Sequence, residues 1–239
     1  MQTRREVLTK CGAGLAAIIA AGKAPAAVVR SMLGAKGTIL SKSLPLPYDH
    51  EVEWIQPSTR GAYINTGFVP IYSASRVDYY DVEAVFSPNA FGRFFTFGQV
   101  WNANTLTFRF DDNKKPACYW SNSTAVHSTF LGIQNHFYHI KKDGLVTTIR
   151  DMDTGESGTI STTLWTIKQT EPVWLFGVPN YLSQNKISSI KILRRSDNAR
   201  VLDMISVVDF DGIPCMYDKV SRKNFYNSGT GHFLTNEDA

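Results

Sequence analysis

From residue 51 onward the chain contains no amphipathic stretch of helix length. Helix bundles and parallel α/β folds need apolar residues recurring at i, i+3, i+4 and i+7 over ten or more positions, so this absence removes both. In their place stand short runs of β-branched and aromatic residues, alternating in polarity and cut off by Gly, Pro, Asn and Asp, which is the pattern of half-buried strands. Residues 77–86 show it most clearly: Tyr80, Val82, Ala84 and Phe86 share one face, and Ser87-Pro88-Asn89 ends the run. Further strands are predicted over 94–97, 106–110 and 117–120, with 111–116 as a turn. A hairpin is expected from 136–141 and 146–150 around Lys142-Asp143-Gly144, since Asp-Gly is a strong tight-turn signal. Strands at 173–178, 187–194 and 201–210 complete the set. So many short strands in under about 190 residues predict an all-β antiparallel sandwich or barrel. Aromatic residues at 12% and charged residues at only 19% supply a large core.

The first thirty residues follow a different grammar. Thr3-Arg4-Arg5-Glu6-Val7-Leu8-Thr9-Lys10 is followed by a weakly apolar run from Cys11 to Ala21 and then by Ala24-Pro25-Ala26. The run is about half the twenty or so residues that span a bilayer, and its small-residue ending suits a cleavage site. This segment resembles a twin-arginine signal peptide, with Arg4 and Arg5 as the arginine pair and cleavage expected after Ala26. The resemblance implies export to the periplasm or the outside of the cell. The domain plan read from the sequence is leader 1–26, linker or arm 27–50, sandwich 51–234 and polar tail 235–239, with no membrane span after the leader.

The leader also decides the charge. The whole chain carries a formal +4, but residues 1–26 hold Arg4, Arg5, Lys10 and Lys23 against Glu6 alone; without them, 25 cations and 21 acids become 21 and 20. A near-neutral remainder lacks the long-range attraction that phosphate binding relies on, so a nucleic-acid partner is not expected. Two cysteines remain, Cys118 and Cys215. An exported protein could pair them as a disulfide, and the plainer reading is two small buried side chains. Neither has the close spacing of a zinc or redox motif.

Glu53-Trp54-Ile55-Gln56 with Ala62-Tyr63-Ile64-Asn65-Thr66-Gly67-Phe68, and then His139-Ile140-Lys141-Lys142-Asp143-Gly144, Leu175-Phe176-Gly177 and Ile187-Ser188-Ser189-Ile190-Lys191-Ile192, form a recognisable series. It closes with Val201-Leu202-Asp203, Pro214-Cys215-Met216-Tyr217-Asp218-Lys219-Val220-Ser221 and Phe225-Tyr226-Asn227-Ser228-Gly229-Thr230-Gly231-His232-Phe233. Over about 53–233 this resembles the laminin G-like domains of bacterial surface and phage proteins, within the concanavalin A-like superfamily. The resemblance implies a two-sheet jelly-roll β-sandwich and leaves function open, because the fold hosts lectins, glycosidases, adhesive modules and spacers.

No catalytic set emerges. Glycosidases of this fold place acids along one strand, and two carboxyl groups must flank the scissile bond. Asp81 and Glu83 share a face, but Val85 and Phe86 stand where a third acid would; after Glu51 and Glu53 the later position is Gln56. His136 and His139, three apart on a strand, point to opposite faces and so do not form a shared metal pair. Asp111, Asp112 and Asn113 are the candidate calcium ligands, as sandwiches of this resemblance often hold calcium at a rim; the following Lys114-Lys115 opposes a cation and favours a simple turn. Trp101 with Asn102 and Asn104, and Tyr119 with Trp120, are the candidate sugar-stacking set. The expectation is an exported, non-catalytic domain binding glycan or another cell-surface component, with a structural or protein-interaction module and a divergent glycoside hydrolase as alternatives.

Overall fold

The computed structural model describes residues 45–70, 80–91, 95–98, 106–119, 124–126, 129–161, 171–178 and 181–238. The chain divides into a leading unit, Met1–Leu46, and a body, Pro47–Ala239; of the leading unit only Pro45 and Leu46 are described. The twin-arginine-like leader and its cleavage position therefore lie outside the described residues.

In chain order the strands open with β1 (His50–Glu51), β2 (Ile55–Pro57), β3 (Ile64–Asn65), β4 (Tyr80–Ser87), β5 (Phe95–Gly98) and β6 (Thr107–Phe110). Next come β7 (Pro116–Tyr119), β8 (Thr124–Val126), β9 (Tyr138–Asp143), β10 (Val146–Asp151), β11 (Ser157–Ser161), β12 (Trp174–Leu175) and β13 (Gly177–Val178). The last are β14 (Tyr181–Leu182), β15 (Lys186–Arg194), β16 (Ala199–Val208), β17 (Pro214–Asp218), β18 (Lys223–Phe225) and β19 (Phe233–Thr235). A large sheet runs β11-β10-β9-β4-β15-β16-β17-β18, with β1 added to β16 and β2, carrying β19, added to β15. A smaller sheet runs β3-β12-β5-β6-β7-β8, and β13-β14 form a separate ribbon. The pairings are antiparallel, and of the sandwich and barrel that the strand grammar allows the protein is the two-sheet β-sandwich that the resemblance implies. Among the described residues no helix is long and apolar enough to cross a membrane.

Period-two alternation builds the core. On β4, Tyr80, Val82, Ala84 and Phe86 are buried, and they meet Phe97, Phe108 and Phe110 of the small sheet. Phe86 lies edge-on to Phe108 with ring centres 5.2 Å apart. Each such side chain contributes roughly 1.5–3 kcal/mol by leaving water. Alternation also carries Lys142 inward at the end of β9; it is 2% exposed, and its Nζ donates to the Tyr80 carbonyl at 2.8 Å.

Four expectations shift. Strand β9 extends through Asp143, so the hairpin loop is Gly144-Leu145 and Asp143 pairs with Val146; a positive φ of 60° at Gly144 is what a two-residue loop with Gly first requires. The strand expected over 173–178 breaks at Phe176, whose φ of 67° is incompatible with a continuous ladder. Packing holds that residue: Phe176 is fully buried, 4.9 Å from the Phe233 ring. The packed body also begins before residue 51. Asp49 donates its N–H to the Val208 carbonyl, and Tyr48 packs with Val207, Cys215 and Tyr217 on the outer side of the large sheet. Finally, Cys118 and Cys215 are both free thiols. They cannot pair, because Cys118 belongs to the core between the sheets and Cys215 to that separate outer cluster.

Candidate functional site

The strands that bury Val82 and Ile192 inward must present their alternate residues outward. The ladder pairs these outward residues across the large sheet. Lys141 on β9 stands opposite Glu83 on β4, Glu83 opposite Lys191 on β15, and Lys191 opposite Asp203 on β16. This is a row of alternating charge over four strands, and each cross-strand pair of opposite sign stabilises the sheet modestly. In the next row Asp81 stands opposite Leu193 and Leu193 opposite Arg200. Between the rows lies a depression of about 280 Å³ lined by Asp81, Glu83, Lys141, Asp143, Lys191 and Arg200 among others.

Its acids are held in place. Asp81 Oδ1 accepts from the Gly144 N–H at 2.9 Å and from Arg195 Nη1 at 3.0 Å, and the same Nη1 reaches Asp143 Oδ1 at 3.0 Å. Glu83 Oε1 lies 2.9 Å from His139 Nε2, and its Oε2 lies 3.8 Å from Lys191 Nζ. Arg200 Nη1 donates to Asp203 Oδ2 at 2.7 Å. Partial burial pushes the Glu83 carboxyl up, but the His139 hydrogen bond and the charges of Lys191, His139 and Lys141 outweigh it and hold the group below the usual carboxylate range. By strand rise Asp81 and Glu83 are about 7 Å apart, a spacing that glycoside hydrolysis tolerates. Hydrolysis needs one of the pair as a proton donor, and both are already engaged within the protein, Glu83 by His139 and Asp81 by the Gly144 N–H and Arg195. The arrangement is suited to hydrogen-bonding a polar ligand.

The residues that the sequence nominates for calcium and for sugar stacking are distributed elsewhere. Asp111 Oδ1 accepts the N–H groups of Asn113 at 2.9 Å and Lys115 at 2.8 Å, closing its own hairpin turn, while Asp112 and Asn113 are exposed. That carboxylate oxygen closes the turn. Tyr119 ends β7 in the small sheet, away from the large-sheet depression; Trp101, Asn102, Asn104 and Trp120 lie outside the described residues. Glu51 accepts from the Tyr48 hydroxyl at 3.0 Å, and neither it nor Glu53 lines the depression.

His136 and His139 are held by different acids. His139 faces Glu83, whereas His136 Nδ1 lies 2.9 Å from Asp151 Oδ2, with Asp153 beside them; the three residues' ligand atoms lie within 4.8 Å of one another. Asp151 Oδ1 takes the N–H groups of Asp153 and Thr154, and Asp153 Oδ2 takes that of Phe137. The cluster therefore ties the chain entering β9 to the turn after β10. Spacing along the chain links His136 only to His139; Asp151 escapes it because it is fifteen positions away and becomes a neighbour only through the hairpin.

No protein-family model matches the chain, and no curated protein matches it. Among solved structures it is similar to a protein from Bacteroides ovatus ATCC 8483 proposed to bind carbohydrate, at 12% identity and a TM-score of 0.44, over 83% of this chain and 65% of that one. This chain thus spans less than two thirds of that protein, and the sandwich assignment rests on its own strand pairings.

Proposed function

We propose that this chain is a non-catalytic carbohydrate-binding β-sandwich of laminin G-like type, exported behind its arginine-pair leader, that takes its ligand on the outer face of the large sheet. The observation that carries the reading is the depression between the two charged rows. Rigid strands hold it, and it combines ionised acceptors with ammonium and guanidinium donors, the mixture that hydroxyl-rich ligands engage. Ligand pockets run about 300–1,000 Å³, so a depression of 280 Å³ takes a sugar or two of a longer chain. The test is an immobilised-glycan array probed with the purified chain and with Arg200→Ala. The expected result is retention on a defined subset of glycans, weakened at least tenfold in the variant. Silence across a broad array contradicts the reading.

One observation favours a protein-interaction module instead. Phe210 and Ile213, in the turn between β16 and β17, are 69% and 48% exposed. Concentration-dependent self-association abolished by Phe210→Ser, together with a silent array, would support that module.

A further inference from the structure

We infer that the saccharide taken by this depression is acidic, bearing carboxylate or sulfate groups held by Lys141, Lys191 and Arg200. The inference rests on the carbohydrate reading above and narrows its ligand class. It follows from which hydrogen-bonding capacity is left over once the protein's own contacts are counted. Glu83 Oε1 is hydrogen-bonded to His139, and Oε2 lies 3.8 Å from Lys191 Nζ. Asp81 Oδ1 already serves two donors, and Asp143 shares the same guanidinium. Asp203 is 2% exposed and is committed to Arg200 through Oδ2. Each acid facing the depression is thus already engaged by a group of the protein.

The donors are not. A lysine ammonium carries three N–H groups and a guanidinium five. Lys141 is exposed and forms no ion pair among the described residues. Lys191 meets Glu83 only at 3.8 Å and is 44% exposed, and Arg200 uses one nitrogen on Asp203 while remaining 61% exposed. Lys141 and Lys191 flank Glu83 in one row, and their remaining donors face solvent. Charge-assisted bonds to carboxylate or sulfate oxygens are stronger than those to neutral hydroxyls, so an acid group on a sugar ring is the feature this surface selects.

The test compares matched pairs by calorimetry on the purified chain. One pair is a trigalacturonate and its full methyl ester; the other is a sulfated galactan oligosaccharide and its desulfated form. The acid member of at least one pair is expected to bind tenfold or more tightly at low salt, with the gap narrowing at high salt. A Lys141→Gln, Lys191→Gln double variant, whose melting temperature confirms its fold, is expected to lose that preference. Equal affinity for acid and neutral members overturns the acidic class while leaving carbohydrate binding intact. Binding of neither member, with a silent array, overturns both.

Discussion

At the scale of single residues, the acids of this chain serve chiefly as anchors for turns. Asp111 and Asp209 do the same thing at two hairpins: each accepts, through Oδ1, the N–H groups two and four positions ahead. In each, the residue three positions ahead has positive φ, Lys114 at 63° and Gly212 at 78°. Asp218 similarly receives the N–H groups of Val220 and Ser221. An Asp followed by polar residues thus reads from sequence equally well as a calcium ligand or as a turn, and only the direction of the carboxylate separates them. Asp151 adds His136 to the same device. Burial pushes its carboxyl up, yet the His136 bond and the N–H groups of Thr154 and Asp153 outweigh it and leave the group below the usual range. A lowered folded value means stability that is complete above the ordinary carboxylate value near about 4 and is lost as pH falls through the folded value. Asp151→Asn, which keeps an acceptor oxygen but removes the charge facing His136, should cost about 1.5–3 kcal/mol at pH 7. Denaturant melts at neutral pH and at pH 3 test this, and the deficit should shrink at the lower pH. An equal deficit at both would contradict the charged bond as its cause.

At the scale of elements, the strands are legible in the sequence wherever alternation is clean. β4 and β10 run within a few residues of their expected limits, because each buries alternate residues in the core and turns the others outward, and a slip of one position would exchange them. Legibility fails where a long-range contact overrides local pattern. Nothing in Val173-Trp174-Leu175-Phe176-Gly177 announces that Phe176 turns aside to pack on Phe233, a residue almost sixty positions later. The partners of the site are hidden for the same reason. Asp81 and Glu83 can be placed on one face by counting, but Arg195, His139 and Lys191 reach them only through the sheet. Gly98, ending β5, shows how tightly those sheets close. Its φ is 147°, and a Cβ there would stand 2.7 Å from the Leu106 carbonyl and from the Thr107 Cα. Backbone atoms cannot swing away as a side chain can, so Gly98→Ala should destabilise by about 1–3 kcal/mol. A chemical melt of that variant checks it, and an unchanged midpoint would mean that β5 and β6 are less closely held than described.

At the scale of the whole molecule, a sandwich built by alternation carries the charged outer face that alternation exposes. Residues 27–239 carry 21 cations against 20 acids, so the selectivity of a binding face would come from local arrangement rather than net charge. The two charged rows of the large sheet supply that arrangement, and the Cys215 thiol behind Tyr48, pushed up to about 12 by burial and by the charge of Asp209, takes no part in it. The most direct measurement is a titration of the labelled chain with a saccharide retained on the array, followed by amide chemical shifts. The shifted amides are expected to cluster on Asp81, Glu83, Lys141, Lys191 and Arg200, over four adjacent strands of the large sheet. Shifts gathered instead around Tyr119 and the small sheet, with those five unmoved, would contradict a binding site on the large sheet.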